Sequence, residues 1–486
     1  MRQLEVSFVR DGAPRMWTVF VGQNGTCKTT LLRAIAAAAA GTAFANSLIR
    51  EPLAYRDRRR EQATPLVDAG FGFSAVQHAA RVYPKVGNPL SAPPELVSRI
   101  EFGSTAVRSR ANYGRWESRT EDIAAPEIAV EAVASEWASR AAHAAAAAAQ
   151  AAANNDPGGA AHWAAEAALS AAGAKAAAGI ELTTPLDDAR DQDLPFWFVS
   201  AYGTGRILAA PHAATEGVVP KRDRLRSLFD AAHLPLGTGF SDLLARTKGD
   251  ARARAFAMCL REALVDHMHT PGLNNIELRG QGGVASQTSL IEAHRFTMQV
   301  GGEELKLPAV WLSQGYQAVV SLVADIIGNV WLEANAEVPL HAMEGIVLVD
   351  EIDLHLHPTW QTEIVRGLKQ AFPRMQFIVT THSPLVLAGC RADEVWTLAQ
   401  DEGTGDVVAT QGRSSPMTMT GSELNRAYFG VSRASPLSED LRRYVELASN
   451  PYRSDTEDEA ASVLLRRLRE NAIPVDYEPV ARKTAS

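Results

Sequence analysis

Gly22-Gln23-Asn24-Gly25-Thr26-Cys27-Lys28-Thr29-Thr30 is the stretch of this chain with the greatest capacity for chemistry. It follows the apolar run Trp17–Val21 and leads into Leu31–Ala36, whose spacing predicts a helix. Strand, tight loop and helix in that order are the setting in which a backbone cradles phosphate. Loop N–H groups and the helix N-terminus, worth roughly half a positive charge, converge on one point. The Lys28 ammonium would reach the outer phosphates, and the Thr29 hydroxyl is a hard oxygen donor suited to Mg2+. One position departs from the pattern G-x-x-x-x-G-K-[ST]: Cys27 stands where the second glycine belongs. The competing reading is an ordinary strand–turn–helix corner with a solvated lysine.

A second set of groups lies far downstream. Gly345–Val349 is a continuous apolar run closed by Asp350 and Glu351, the signature of a strand buried on both faces. Carboxylates at the C-terminal end of such a strand sit where α/β sheets place ligands. Asp350 is the candidate metal-holding acid, and Glu351 is positioned to take a proton from an attacking water. The apolar run Gln376–Thr380 leads into Thr381 and His382, and a neighbouring placement of the two strands would bring His382 to the same sheet edge. A neutral imidazole there can donate to a phosphate oxygen. Between these parts, Ser313 precedes an apolar helical pattern as a natural cap, and Gly315 permits close backbone approach. His355 and His357 have metal-like spacing, but no further Cys or His cluster accompanies them.

Taken in order, the motif set resembles an ABC-type ATPase head of the RecF/SMC/OLD-like branch. The matching pieces are a Walker A loop (Gly22–Thr29), a signature-like Leu312-Ser313-Gln314-Gly315, a Walker B pair (Asp350, Glu351), a D-loop-like His355–Pro358 and a switch histidine, His382. The resemblance covers residues 1–50 and 190–430. Ala201–Arg206 and Arg224–Phe229 further resemble ATPases of bacterial anti-phage operons of the Septu type. Departures are Cys27, Gln314 and Tyr316 within the motifs, and the lack of a clear Q-loop glutamine; the loop after Phe198, with Arg206 as a phosphate contact, is the candidate substitute.

The resemblance implies an α/β P-loop NTPase, ABC-ATPase-like, with a mixed sheet. It implies ATP and Mg2+ as ligands, with Thr29 and Asp350 on the metal. Gly22, Asn24, Gly25, Thr26, Cys27, Lys28, Thr29, Thr30, Ser313 and Gly315 would touch nucleotide. Lys28, Glu351 and His382 would act in catalysis. Two heads would dimerise around ATP, Ser313 and Gly315 of one covering the γ-phosphate held by Lys28 of the other. Hydrolysis would then control a partner, with a nuclease in phage defence as one choice. A DNA-repair or chromosome-maintenance ATPase that binds DNA directly and a slow or non-hydrolysing nucleotide-bound scaffold are the alternatives. No nuclease motif is visible: Asp266–His269 is too short for an HNH site.

The chain that must position these groups has 486 residues and a formal net charge of −8, which argues against a generally basic, nucleic-acid-coating protein. Three dispersed cysteines form no disulfide framework and fit a reducing cytosol. The longest apolar-looking run, Ala141–Ala153, is mostly alanine and too short to span a bilayer, and no secretory pattern follows Met1. A cytoplasmic protein away from membranes is expected. The division expected is residues 1–125 and 186–400 for the ATPase head, 126–185 for an inserted helical hairpin, and 401–486 for a helical C-terminal region. In the hairpin, alanine-rich stretches Glu127–Ala153 and Gly159–Ala178 flank the breaker Asn154-Asn155-Asp156-Pro157-Gly158. Strands are predicted at Gln3–Val9, Trp17–Val21, Asn275–Arg279 and His294–Val300, with Ser98–Phe102 as an edge strand and a long helix near Ala251–His267. The Arg56, Arg58, Arg59 and Arg60 cluster reads as a solvated face or a phosphate-contacting patch.

Overall fold

The computed structural model describes residues 4–55, 65–73, 95–103, 106–109, 130–154, 156–179, 190, 197–206, 224–230, 250–278, 295–401, 403–430, 436–471, 473–475 and 477–481. The arginine cluster at 56–60 and the expected domain boundaries near 125 and 185 lie outside them. In chain order the strands are Val9–Arg10 (β1), Ala13–Pro14 (β2), Trp17–Val21 (β3), Leu66–Gly72 (β4), Glu95–Phe102 (β5), Val107–Ser109 (β6), Val199–Tyr202 (β7), Leu273–Glu277 (β8), Arg295–Val300 (β9), Glu303–Pro308 (β10), Gly345–Val349 (β11), Met375–Thr380 (β12), Val395–Gln400 (β13) and Val407–Gln411 (β14).

The chain comprises two compact units, Met1–Met417 and Thr418–Ser486. The first is built on a six-stranded sheet of order β14-β13-β3-β12-β11-β7. Every pairing in it is parallel except β13 with β14, so the sheet is mixed. The parallel strands read as near-continuous apolar runs because helices cover both faces. Every residue of β3 and β7 is buried. Register sets the function of this sheet. Thr380 pairs with Phe20, Val379 with Val349, and Val349 with Tyr202. Four parallel strands therefore end together, and Gly22, Asp350, Thr381 and Gly203 all leave one edge.

The helix Lys28–Ala40 fills the space between this sheet and the antiparallel three-stranded sheet β4-β5-β6. Its alanines 36 to 39 are at most 1% exposed, small enough to let both layers approach. Phe20, Leu32, Ile100, Phe102, Leu348 and Ile378 complete that core, each large side chain contributing about 1.5–3 kcal/mol of burial. The opposite face carries the helix Gln314–Ala334, buried along most of its length. Of the described helices it alone is long and apolar enough to cross a membrane, and 83% of that apolar window is buried inside the protein.

Several predicted elements move. The strand expected at Gln3–Val9 reduces to Val9–Arg10, paired to β2 across an Asp11-Gly12 turn with both φ positive. Both edges of β3 are already taken by β12 and β13, so residues 4–8 have no strand to join. Ser98–Phe102 lies in the middle strand β5 rather than at an edge: β4 and β6 pair to it on either side, and Ser98, Ile100 and Phe102 point inward in alternation. The predicted helix near Ala251–His267 is α-helical over Asp250–Arg261 and continues as a π-helix over Glu262–His267. The alanine-rich helices are Val130–Ala153 and Pro157–Gly179. The second starts two residues before the predicted Gly159, because Asp156 accepts from the Gly159 N–H and Pro157 occupies the first turn.

Thr418–Ser486 contains the helices Gly421–Phe429, Pro436–Ser449 and Asp455–Glu470. Reciprocal caps open two of them, Thr420 with Glu423 and Ser454 with Glu457. Tyr444, Leu447, Ala448, Ala461 and Leu468 form its small core.

Candidate functional site

The loop after β3 is shaped by unusual backbone. Gly25 and Cys27 have φ of +83° and +63°, and a Cβ on Gly22 would stand 2.3 Å from the Leu398 carbonyl oxygen. Cys27 occupies the N-cap of the helix Lys28–Ala40 in the left-handed conformation, with no side-chain cap bond. For a residue bearing a Cβ that conformation costs about 1–2 kcal/mol. The Thr26 hydroxyl ties the loop by donating to the Gln23 carbonyl at 2.8 Å. Gln23, Asn24 and Gly25 face solvent, while Thr29 and Thr30 are half-buried in the first helical turn. Lys28 is buried and folds back: its Nζ donates to the carbonyls of Gly22 (2.8 Å) and Gln23 (3.0 Å). Burial lowers its pKa, against the opposing pull of Asp350, Glu351 and Asp353. A cation so placed is poorly solvated, the condition in which an incoming polyanion gains most.

Asp350 joins the two halves. Its carboxylate accepts from the Thr29 hydroxyl at 2.8 Å and from the Thr380 hydroxyl at 2.6 Å. Thr380 also accepts the Glu351 N–H at 2.8 Å, so one hydroxyl fixes both acids. Glu351 is left-handed, φ +48°, and only half-buried. His382 follows β12, the strand between those carrying Lys28 and Asp350, and its exposed imidazole lies at the same edge. Asp353 shapes that segment by accepting from the Thr381 hydroxyl at 2.6 Å and the His382 N–H at 3.4 Å.

Ser313 caps by position only. It is exposed at the N-cap of Gln314–Ala334 and has the extended backbone of an ordinary N-cap but, contrary to the cap predicted for it, its side chain makes no bond to the first turn. Gly315 behaves as predicted: a Cβ would stand 2.5 Å from the His355 carbonyl oxygen. The His357 ring accepts from the Thr359 N–H and caps the helix Pro358–Ala371. Among the described residues no group of three or more His, Cys, Asp or Glu could hold a metal.

Arg206 does not point to a phosphate position. It is 3% exposed, with Nη1 donating to the carbonyls of Gly203 and Asp350 and Nη2 to that of Glu351. Burial lowers its pKa to about 10, against the pull of Asp350, Asp353 and Glu351. Sequence reasoning also missed Thr380, Asp353 and a buried strut on the far face. There the Tyr202 hydroxyl donates to Asp325 at 2.9 Å and Asn329 donates to the same carboxylate, linking β7 to the helix Gln314–Ala334. Polar residues closing an apolar strand (Thr380-Thr381) were the available signal for the first of these.

Residues 17–388 match a family model described as "AAA domain, putative AbiEii toxin, Type IV TA system". The chain is 39% identical over 161 residues to Septu protein PtuA of Bacillus mycoides (strain KBAB4), covering 32% of this chain and 22% of that one. It is 51% identical over 85 residues to the Retron Vc95 probable ATPase of Vibrio cholerae serotype O1 biovar El Tor, covering 17% and 16%. The chain thus spans about a fifth of the length of these curated relatives. An SMC head solved in complex with the C-winged helix domain of ScpA superposes with a TM-score of 0.37 at 14% identity, covering 82% of this chain and 92% of that one. That superposition is too loose to support any step below.

Proposed function

This chain belongs to the AAA-domain family matched over residues 17–388, and from that premise we propose that it binds ATP with Mg2+ and hydrolyses the nucleotide to ADP and phosphate. The observation that carries the reading is the meeting of Lys28, Thr29, Asp350, Glu351 and His382 at the ends of three neighbouring strands. Gly22, Asn24, Gly25, Thr26, Cys27 and Thr30 would offer backbone N–H groups to the phosphates, and Lys28 would exchange its two loop carbonyls for phosphate oxygens. Thr29 and Asp350, hard oxygen donors 2.8 Å apart, fit the demands of Mg2+ and would hold it. Bound there, the ion supplies charge neutralisation at the outer phosphates. Glu351 accepts a proton as the water oxygen attacks the γ-phosphorus, the bond to the leaving β-phosphate oxygen breaks, and His382 donates to a γ-phosphate oxygen.

In this reading the active form is a homodimer. The exposed Ser313 hydroxyl, free of a capping bond, and the close-packed Gly315 would complete the site of a second copy. Opening and closing of the dimer would control a cytoplasmic effector of the nuclease class in anti-phage defence. The relatives named for Septu and retron systems support that setting. A slow or non-hydrolysing scaffold has one observation in its favour, the strained Cys27 inside the loop.

Turnover and oligomeric state of wild type and Glu351→Gln decide between these readings. We expect turnover to fall at least about a hundredfold while an ATP-dependent dimer accumulates in light scattering. Undiminished turnover in Glu351→Gln removes its assigned role. A wild type that binds ATP without turning it over leaves the scaffold. Turnover stimulated by DNA favours a RecF/SMC-like enzyme acting on DNA directly.

A further inference from the structure

We propose that Arg206 is a positioning residue for Glu351, holding the Asp350–Glu351 corner in the left-handed conformation that aims the Glu351 carboxylate. The inference rests on Glu351 being the proton acceptor. Six described residues other than glycine have positive φ: Asp11, Cys27, His269, Asn335, Glu351 and His355. Aspartate and asparagine carry short polar side chains that hydrogen-bond locally in this conformation; glutamate does not. Surroundings must impose it.

They do so from both sides of the residue. Thr380 Oγ1 accepts the Glu351 N–H, while the Arg206 fork donates to the carbonyls of Asp350 and Glu351 in succession. Its own anchor is fixed as well. Arg206 donates to the Gly203 carbonyl, and a Cβ on Gly203 would stand 2.2 Å from the Ser227 carbonyl oxygen. The Ser227 hydroxyl in turn donates to the Ala201 carbonyl at 2.8 Å, tying this turn to the end of β7. Only a planar guanidinium, with donors on two nitrogens at a fixed angle, spans three carbonyls at once; an ammonium is a point donor. Asp350, Asp353 and Glu351 supply the countercharge that lets a cation remain at 3% exposure.

The test compares kcat, KM, ATP affinity and melting temperature of wild type, Glu351→Gln, Arg206→Lys and Arg206→Ala, the last with and without millimolar guanidinium. Arg206→Lys should lose about ten- to a hundredfold in kcat while ATP affinity moves less than about threefold, the mark of misaligned chemistry with intact binding. Guanidinium should restore part of the turnover of Arg206→Ala and none of Glu351→Gln. Should Arg206→Ala fail to fold, Arg206→Lys, which keeps the buried charge, carries the comparison alone. Wild-type kcat in Arg206→Lys, or an affinity loss parallel to the loss of kcat, overturns the proposal. Full turnover in Glu351→Gln would instead remove the reading beneath it, and the two failures are separable because they occur in different variants.

Discussion

Cys27 and Glu351 stand at the same edge of one sheet, both left-handed, and they are held in opposite ways. Glu351 is clamped from N–H to carbonyl by Thr380 and Arg206, two buried side chains. Cys27 is half-buried against the core, but its side-chain polar contact is weak and local, the thiol 3.8 Å from the Gly25 carbonyl oxygen, beside the solvent-facing Gln23–Gly25. An acid that must point at one atom needs a rigid seat, since small misplacements cost rate steeply. A loop that offers N–H groups to a polyanion can settle around its ligand. On the proposed reading, strain in the first place would serve alignment; in the second it would only raise the energy of the empty loop.

Thr380→Val strikes the clamped side and should have the largest effect on stability. Valine fits the space, but the Asp350 carboxylate and the Glu351 N–H each lose a buried partner, costing about 2–4 kcal/mol together. Chemical denaturation measures this, and a change under about 0.5 kcal/mol would show that the hydroxyl bridge is dispensable. Lys28 gives the next effect, on the loop side. Phosphates require the charged form, whereas burial lowers the pKa of the free protein's ammonium. ATP binding above that lowered pKa therefore takes up a proton. Affinity should be flat below it and fall as pH rises through it, by at most about tenfold per pH unit. Calorimetry in buffers of different ionisation enthalpy reads the proton directly, and absence of proton uptake at alkaline pH would discard the linkage.

The contrast also explains what was legible beforehand. Gly22–Thr30, the apolar strand into Asp350-Glu351 and the strand into His382 are local patterns, and all three strands form where sequence spacing puts them. Register then brings their ends together, as expected of neighbouring parallel strands. What escaped was side-chain partnership across long separations. Arg206 reads as a phosphate contact because nothing nearby in sequence announces the carbonyls it meets 144 and 145 residues away. Thr380 reads as the last strand residue, and its pair of hydrogen bonds, donated to Asp350 and accepted from the Glu351 N–H, exists only once β11 and β12 pair. The backbone at Ser313 takes the N-cap conformation that its sequence position predicts, and only the side-chain bond is missing.

Cys27→Gly relieves the unsupported side and should have the smallest effect. Glycine removes about 1–2 kcal/mol of left-handed strain and gives back about 0.4–1 kcal/mol through the greater freedom of the unfolded chain. The net gain is therefore about 0–1.6 kcal/mol, a rise of a few degrees at most in melting temperature for a chain of this size. ATP affinity should rise no more than a few-fold, because the strain is shared by the empty and occupied loop unless the ligand pulls Cys27 further from its present φ of +63°. Equal affinities for wild type and Cys27→Gly would make the departure from glycine harmless to binding. A gain approaching a hundredfold would mean that the empty loop is not the shape that holds nucleotide, and that the weakly held half of the edge, not the clamped one, limits the site.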